Sequence, residues 1–196
     1  MKYIIKRSEP QSFRDWKSGE DREYNDLINP IKGDVKESLL VEQGYICCYC
    51  ESRISKENSH IEHLKPKDKK KFPELELEYD NMLCSCQKQL SKGEPRHCGN
   101  SKANDIIIIT PLDIDCESKF KYNENGTIEA TDEDSEETIK YLKLDIDKLN
   151  ELRKNAIEPF IFDISDEEAK IFVKEYLKQK DGKYNEFYTT IKYLFS

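Results

Sequence analysis

No stretch of this 196-residue chain stays apolar for anything near the roughly 18 residues that a membrane-spanning helix needs, so no transmembrane span is expected. The opening Met1-Lys2-Tyr3-Ile4-Ile5-Lys6-Arg7 turns polar too soon for a secretory leader, and a cytoplasmic location is the expectation. There is no internal repeat, no low-complexity linker and no glycine-rich phosphate loop, so any ATP dependence must come from another chain. Positive charge is also short. Lys and Arg number 32 against 40 Asp and Glu, a net charge of −8. A protein that grips nucleic acid unaided is usually basic, because phosphate contacts supply most of the affinity. With nucleic acid as its target, an acidic chain needs a local basic face or a partner that supplies the binding surface. The length fits one ordinary domain, or a small module with a helical extension, and can bury a real core.

What is present is concentrated. Six of the seven cysteines and all three histidines fall within residues 45 to 104. An odd, clustered set of thiols in a reducing compartment points to metal rather than disulfides. Cys47-x-x-Cys50 has the spacing of a zinc knuckle, in which two intervening residues let both thiolates reach one ion. The second pair comes from Cys84, Cys86, His97 and Cys98. The preferred quartet is Cys47, Cys50, Cys86 and Cys98, with Cys84 as the alternative to Cys86. Cys48 and Cys116 read as small buried hydrophobes.

His60-Ile61-Glu62-His63-Leu64-Lys65-Pro66 suits a short strand, on which His60 and Glu62 share one face and His63 takes the other. A neutral imidazole takes a proton from water near pH 7, and a carboxylate holds a hard divalent ion. Together they are what metal-assisted phosphodiester hydrolysis requires, although a surface cluster held by salt bridges fits the same letters. Asn81 can fix a nearby loop by hydrogen bonds to its backbone, or simply serve the Asp80-Asn81 turn. Asn100 offers an amide oxygen to a metal and Lys102 a charge to a phosphate. The run from Lys65 through Lys67 to Lys71, with Lys88, Lys92, Arg96 and Lys102, is either a basic rim beside the site or a solvated face.

The flanks divide the chain into 1–44, an arm with helices that pack on the core; 45–104, the core itself; and 105–196, a strand, a hairpin and a helical region for partner docking. One continuous domain is equally compatible. In the arm, Phe13 and Trp16 are the anchors. A short helix is expected over 22–30, and a second one capped by Asp34 and ended by Gly44. Residues 105–111 read as a buried strand, and 119–128 as a hairpin turning at Asn125-Gly126. Asp145 and Ser165 are expected to cap later helices, the first burying Leu149, Leu152 and Ile157. Tyr193-Leu194-Phe195 ends the chain as core or as a docking surface.

The order CxxC, HIEH, YDN and C…CGNxK resembles the HNH endonucleases of the ββα-metal, or His-Me finger, type. The runs IEHLKPK, YDNMLCSC and CGNSKAN more closely resemble the PtuB-type HNH subunits of Septu and retron anti-phage systems. The opening IIKRSEP and the tail after residue 110 are also similar to theirs. This resemblance implies a predominantly helical α+β protein with a zinc-stapled ββα core and helical flanks. It implies His63 as general base, Asn81 as the residue that orients it, and Glu62 and Asn100 as ligands of Mg²⁺ or Mn²⁺; it leaves His60 unassigned, a further metal ligand or a phosphate donor. Cys47, Cys50, Cys86 and Cys98 would hold structural zinc, while Lys65, Lys67 and Lys102 would meet DNA or RNA. It further implies a PtuA-like ATPase in a hetero-oligomer and a role in phage defence. Two features depart from the usual HNH pattern: Gly99 stands between Cys98 and Asn100, and the Cys86–Cys98 loop is long. The role of His97 stays open. A zinc-stabilised binding module without catalysis, or a structural adaptor, is the competing reading.

Overall fold

Two strands of four residues each pair at the centre of the chain's 45–104 region. In the computed structural model, which describes residues 1–68, 70–161 and 166–196, β1 (His60–His63) pairs with β2 (Met82–Ser85). The register sets His60 opposite Ser85, Ile61 opposite Cys84, Glu62 opposite Leu83 and His63 opposite Met82. α2 (Ile31–Glu42) packs on β2 through the fully buried Val35, Leu39 and Leu40. Gly44 follows it with φ +59°, a conformation that costs glycine little, and a β-carbon there would strike the Tyr184 ring. Just before it, the buried Gln43 amide stands in for a missing strand. It donates to the carbonyls of Ile46 and Cys84, both at 2.9 Å, and accepts from the Cys84 amide at 2.6 Å. An unpaired backbone edge at the site is thereby satisfied from a side chain.

Around the hairpin lie α1 (Gln11–Lys17), which buries Phe13 and leaves Trp16 half-buried against the core, and the single-turn α3 (Gly99–Lys102). A second antiparallel pair follows, β3 (Phe120–Tyr122) with β4 (Ile128–Ala130), turning through Gly126 at φ +85°. The remaining helices are α4 (Glu133–Leu142), α5 (Asp147–Ile157), α6 (Asp166–Tyr176) and α7 (Tyr188–Phe195). Buried Arg153 of α5 reaches the Gly126 and Leu144 carbonyls at 3.2 and 2.6 Å and ties the second hairpin to the helices. One buried apolar cluster runs from Met1 to Leu149, and a smaller one joins Ile157, Phe160, Val173 and Ile191. No described helix is long and apolar enough to cross a membrane.

The architecture is a mixed one of helices and small sheets, and several local expectations need correction. The helix expected at 22–30 is a single 3-10 turn, Tyr24–Asp26. Asp34 lies in the first turn of α2 rather than capping it, and Ile146, not Asp145, precedes α5. Leu152 is 38% exposed. Residues 105–111 form no ladder. Ile107 and Ile109 are buried while Ile106 and Ile108 face out, a strand-like alternation in a segment that bends at 108–109 and pairs with no strand among the described residues. The cap expected at Ser165 lies outside the described residues.

Candidate functional site

Sulfur gathers at the end of the hairpin where β1 begins and β2 finishes. Cys47 and Cys50 sit in a tight turn closed by the Cys47 amide on the Ser52 carbonyl at 2.8 Å and by Glu51 at φ +65°. Cys86 leaves the end of β2, and Cys98 immediately precedes α3. The four sulfurs lie within 4.8 Å of one another and all four residues are buried. Cys50 and Cys86 are 3.8 Å apart. Tetrahedral zinc–thiolate bonds near 2.3 Å require sulfurs roughly 3.8 Å apart, so the set fits a closed four-thiolate site. Burial opposes ionisation of Cys47, yet sulfur hydrogen bonds from Cys48, Cys50, Cys86 and Cys98 outweigh it and hold that thiol well below its usual range. The Cys86 amide also points at the Cys47 sulfur, at 3.4 Å.

The choice between Cys84 and Cys86 is decided by where the strand faces. Cys84 turns to α2, its sulfur 3.8 Å from the Lys36 carbonyl, and burial pushes its thiol up to about 12. Burial likewise pushes Cys116 up to about 12 and Cys48 well above its usual value, as suits inert packed thiols. His97, whose role the sequence leaves open, is buried with Nδ1 3.2 Å from the Cys98 sulfur and 3.7 Å from that of Cys86. It belongs to the shell around the thiols, not to a phosphate site.

Beside the thiols lies an ionic cluster. Glu62 Oε1 lies 3.0 Å from Lys102 Nζ and accepts from the Tyr49 hydroxyl at 3.3 Å. Its Oε2 lies 3.6 Å from His60 Nε2, a separation two ligands of one small divalent ion can take. Gly99 packs beneath this pair. A β-carbon there would come within 2.5 Å of Glu62 Oε2 and 2.9 Å of His60 Nε2, so the glycine that departs from the usual HNH pattern is what leaves room for both donors. The Asn100 side chain is bonded elsewhere. Its amide nitrogen donates to the Gln87 carbonyl at 2.7 Å. Lys102, expected on a phosphate, has no exposed surface. Its ammonium group is held by the carbonyls of His63 at 3.0 Å and of Leu64 and Asp105 at 3.3 Å, besides Glu62. A cation so enclosed is the internal counter-charge of Glu62, which corrects its assignment to nucleic-acid contact.

His63 occupies the opposite face of β1, as alternation requires. Its Nε2 is 3.0 Å from the Glu76 carbonyl. A carbonyl only accepts, so Nε2 carries the proton and Nδ1 keeps the lone pair. Burial pulls the imidazole down from 6.5 to about 4. The Glu76 carbonyl and Glu62 oppose the shift; Lys67 and Lys102 add to it. The Tyr24 ring meets the imidazole edge-on, centroids 4.6 Å apart. Asn81 clasps the intervening loop at both ends. It accepts from the Lys65 amide at 2.8 Å and donates to the Lys65 and Leu75 carbonyls at 2.9 and 3.1 Å, one residue short of Glu76. Lys65 and Lys67 are exposed, with Lys65 Nζ 5.6 Å over the Phe72 ring and Lys67 Nζ 4.0 Å over the Tyr24 ring.

No family model matches the chain. A protein of Vibrio cholerae serotype O1 biovar El Tor, named as a candidate HNH endonuclease of retron Vc95, is 31% identical to it over 140 residues, 67% of each chain. That share and that identity, over a chain carrying a four-thiol centre and a histidine–carboxylate hairpin, place it: the chain belongs to the HNH endonuclease family.

Proposed function

We propose that this protein is a metal-dependent endonuclease that hydrolyses phosphodiester bonds, with His63 as general base. The observation that carries the proposal is the Nε2 contact to the Glu76 carbonyl, which leaves Nδ1 as a free, neutral proton acceptor. In the reaction, a water proton passes to Nδ1 as the water oxygen attacks phosphorus and the bond to the leaving oxygen breaks. Nε2 stays bonded to Glu76 throughout, so the imidazolium is stabilised by that carbonyl. Asn81 acts indirectly by fixing the loop that presents it. Glu62 and His60 are the side chains suited to hold Mg²⁺ or Mn²⁺, which would supply positive charge to the phosphate oxygens as they gain negative charge. Lys102 and Tyr49 hold Glu62 by its other oxygen and so fix the one it offers. Cys47, Cys50, Cys86 and Cys98 suit structural zinc.

The wider reading is a PtuB-like effector subunit in a retron or Septu type of defence complex, paired with an ATPase. Two things support it. The relative carries a retron name, and a net charge of −8 suits a nuclease that borrows its grip on nucleic acid. That same charge favours the alternative of a zinc-stabilised binding module.

The test is cleavage of DNA and RNA by the chain, alone and with its ATPase, with and without magnesium, against Glu62→Gln. Magnesium-dependent cleavage that falls by at least about a hundredfold in the variant supports the nuclease. Equal cleavage by both proteins contradicts the assignment of Glu62, and no cleavage by either, even with the ATPase, moves the binding module ahead.

A further inference from the structure

Many lysines of this acidic chain have a carboxylate on hand: Lys6 has Glu42, Lys17 has Glu9, Lys56 has Glu37, Lys102 has Glu62 and Lys192 has Glu117. Lys32 and Lys67 are among the lysines without such a partner, and what sets them apart is a shared ring. Among the described residues neither has a carboxylate within 4.0 Å, yet both ammonium groups stand over the same ring, that of Tyr24, at 5.1 and 4.0 Å from its centroid. Lys32 comes from the first turn of α2 and Lys67 from the loop after β1, so residues remote in sequence converge there. Two like charges brought together without an anion repel one another, and in a chain with 40 acidic side chains a counter-charge was available to evolution. Glu76 is the nearby carboxylate that acts on Lys67, but its Oε1 is taken by the Tyr24 amide at 2.9 Å. The shared ring is the one that lies edge-on against His63.

We propose that Lys32 and Lys67, seated on Tyr24, form a binding site for a backbone phosphate of the nucleic-acid substrate beside His63. The proposal rests on the nuclease reading and deepens it. It places the basic face that an acidic chain lacks overall, and takes half of it from the N-terminal region rather than from the lysine-rich run alone. Tyr24 is the floor of this site. Its π system favours the two cations, and its T-shaped contact helps hold the imidazole in place.

The test uses the full chain with magnesium omitted, titrated by fluorescence anisotropy with short labelled single- and double-stranded DNA and RNA over a range of salt concentrations. The double variant Lys32→Gln/Lys67→Gln should bind at least about tenfold more weakly at low salt, and its salt slope should be smaller by roughly 1.4 to 1.8, the release expected for two phosphate-contacting cations. Lys32→Arg/Lys67→Arg should restore both, and Lys140→Gln/Lys154→Gln, exposed on α4 and α5, should change neither much. If the wild type binds and cleaves while the Lys32/Lys67 variant keeps its affinity and slope, the pair is ordinary solvated surface and the nuclease reading survives. If the wild type binds none of these polymers, the phosphate site falls, while the nuclease reading stands or falls separately on cleavage with magnesium and the ATPase present.

Discussion

The two clusters at the β1–β2 hairpin, one of sulfur and one of charge, are built from opposite physics. The sulfur side is closed: four buried thiols, a buried histidine against two of them, and backbone turns that cannot relax without separating the sulfurs. The ionic side is buried but charged: a carboxylate divided between an internal lysine and a histidine, with the second histidine on the reverse face of the strand held to a loop carbonyl. The first arrangement resists change, because its donors satisfy one another only at a single geometry. The second keeps donors in reserve, since Glu62 Oε2 and His60 Nε2 meet each other only loosely, at 3.6 Å, and His63 Nδ1 makes no hydrogen bond among the described residues. Stability and chemistry are thus divided between two neighbouring clusters on a sheet only two strands wide. They meet at Cys98-Gly99, where a metal-site thiol precedes the glycine that leaves room for the carboxylate.

The largest effect should come from destroying the sulfur side. Chelation of the bound metal, or Cys50→Ser, should unfold the hairpin region and abolish cleavage together, since apparent zinc binding in such sites is worth about 10 kcal/mol or more. Circular dichroism and zinc content should fall in step. Cleavage retained in a metal-free chain would break the division.

Next, Lys102→Met removes the counter-charge of Glu62 while keeping most of the volume. Leaving one partner of a buried ion pair uncompensated costs about 3 to 5 kcal/mol, read as a shifted urea midpoint. Adding Glu62→Gln to the same chain should recover much of that loss. If Lys102→Met alone costs nothing, the ammonium is not the charge that holds Glu62 in place.

The His63 contribution is smaller and depends on pH. Its folded pKa, about 4, lies below the unfolded 6.5, so the unfolded chain binds the extra proton between them. Stability from this group is therefore fully present above pH 6.5 and is lost as the pH falls through 4, by on the order of 3 kcal/mol. His63→Asn should flatten that part of the stability–pH curve. In the same way, kcat/KM should hold its value below pH 6.5 rather than halve there, because it reports the base of the free enzyme. An acid limb centred at 6.5 would mean that the imidazole is solvated.

The smallest effect sharpens the boundary between the two sides. Gly99→Ala should crowd Glu62 and His60 at a cost of about 1 to 3 kcal/mol, while the thiol set keeps its metal. Weaker Mn²⁺ binding with unchanged zinc content is the expected pair of readings. Loss of both metals together would show that the two sides are one unit.

The sequence made the donors legible more readily than their surroundings. Cys47-x-x-Cys50 and the alternation of His60, Glu62 and His63 are short-range patterns, and the chain folds them as the patterns imply. Asn125-Gly126 likewise turns a hairpin for a local reason, the glycine's positive φ. What stayed hidden depends on distant parts of the chain. The two candidates Cys84 and Cys86 are separated only by which neighbour each sulfur meets, Lys36 on α2 or the thiol cluster. Lys102 reads as a surface cation until α3 is seen to bury it beneath the His63 and Leu64 carbonyls. Tyr24 lies 39 positions before the histidine it covers, and nothing in its own neighbourhood marks it. The isoleucine run at 106–109 was misleading for the same reason: β propensity is local, but a ladder needs a partner strand.

The most direct test of the division is a single preparation of His63→Ala, assayed for cysteine-bound zinc and for cleavage on the same sample. The two-sided account predicts wild-type zinc and a wild-type fold, with cleavage reduced by about a hundredfold to ten-thousandfold, the usual worth of a general base. Cleavage at the wild-type rate in a zinc-replete variant would contradict it and remove His63 from the chemistry.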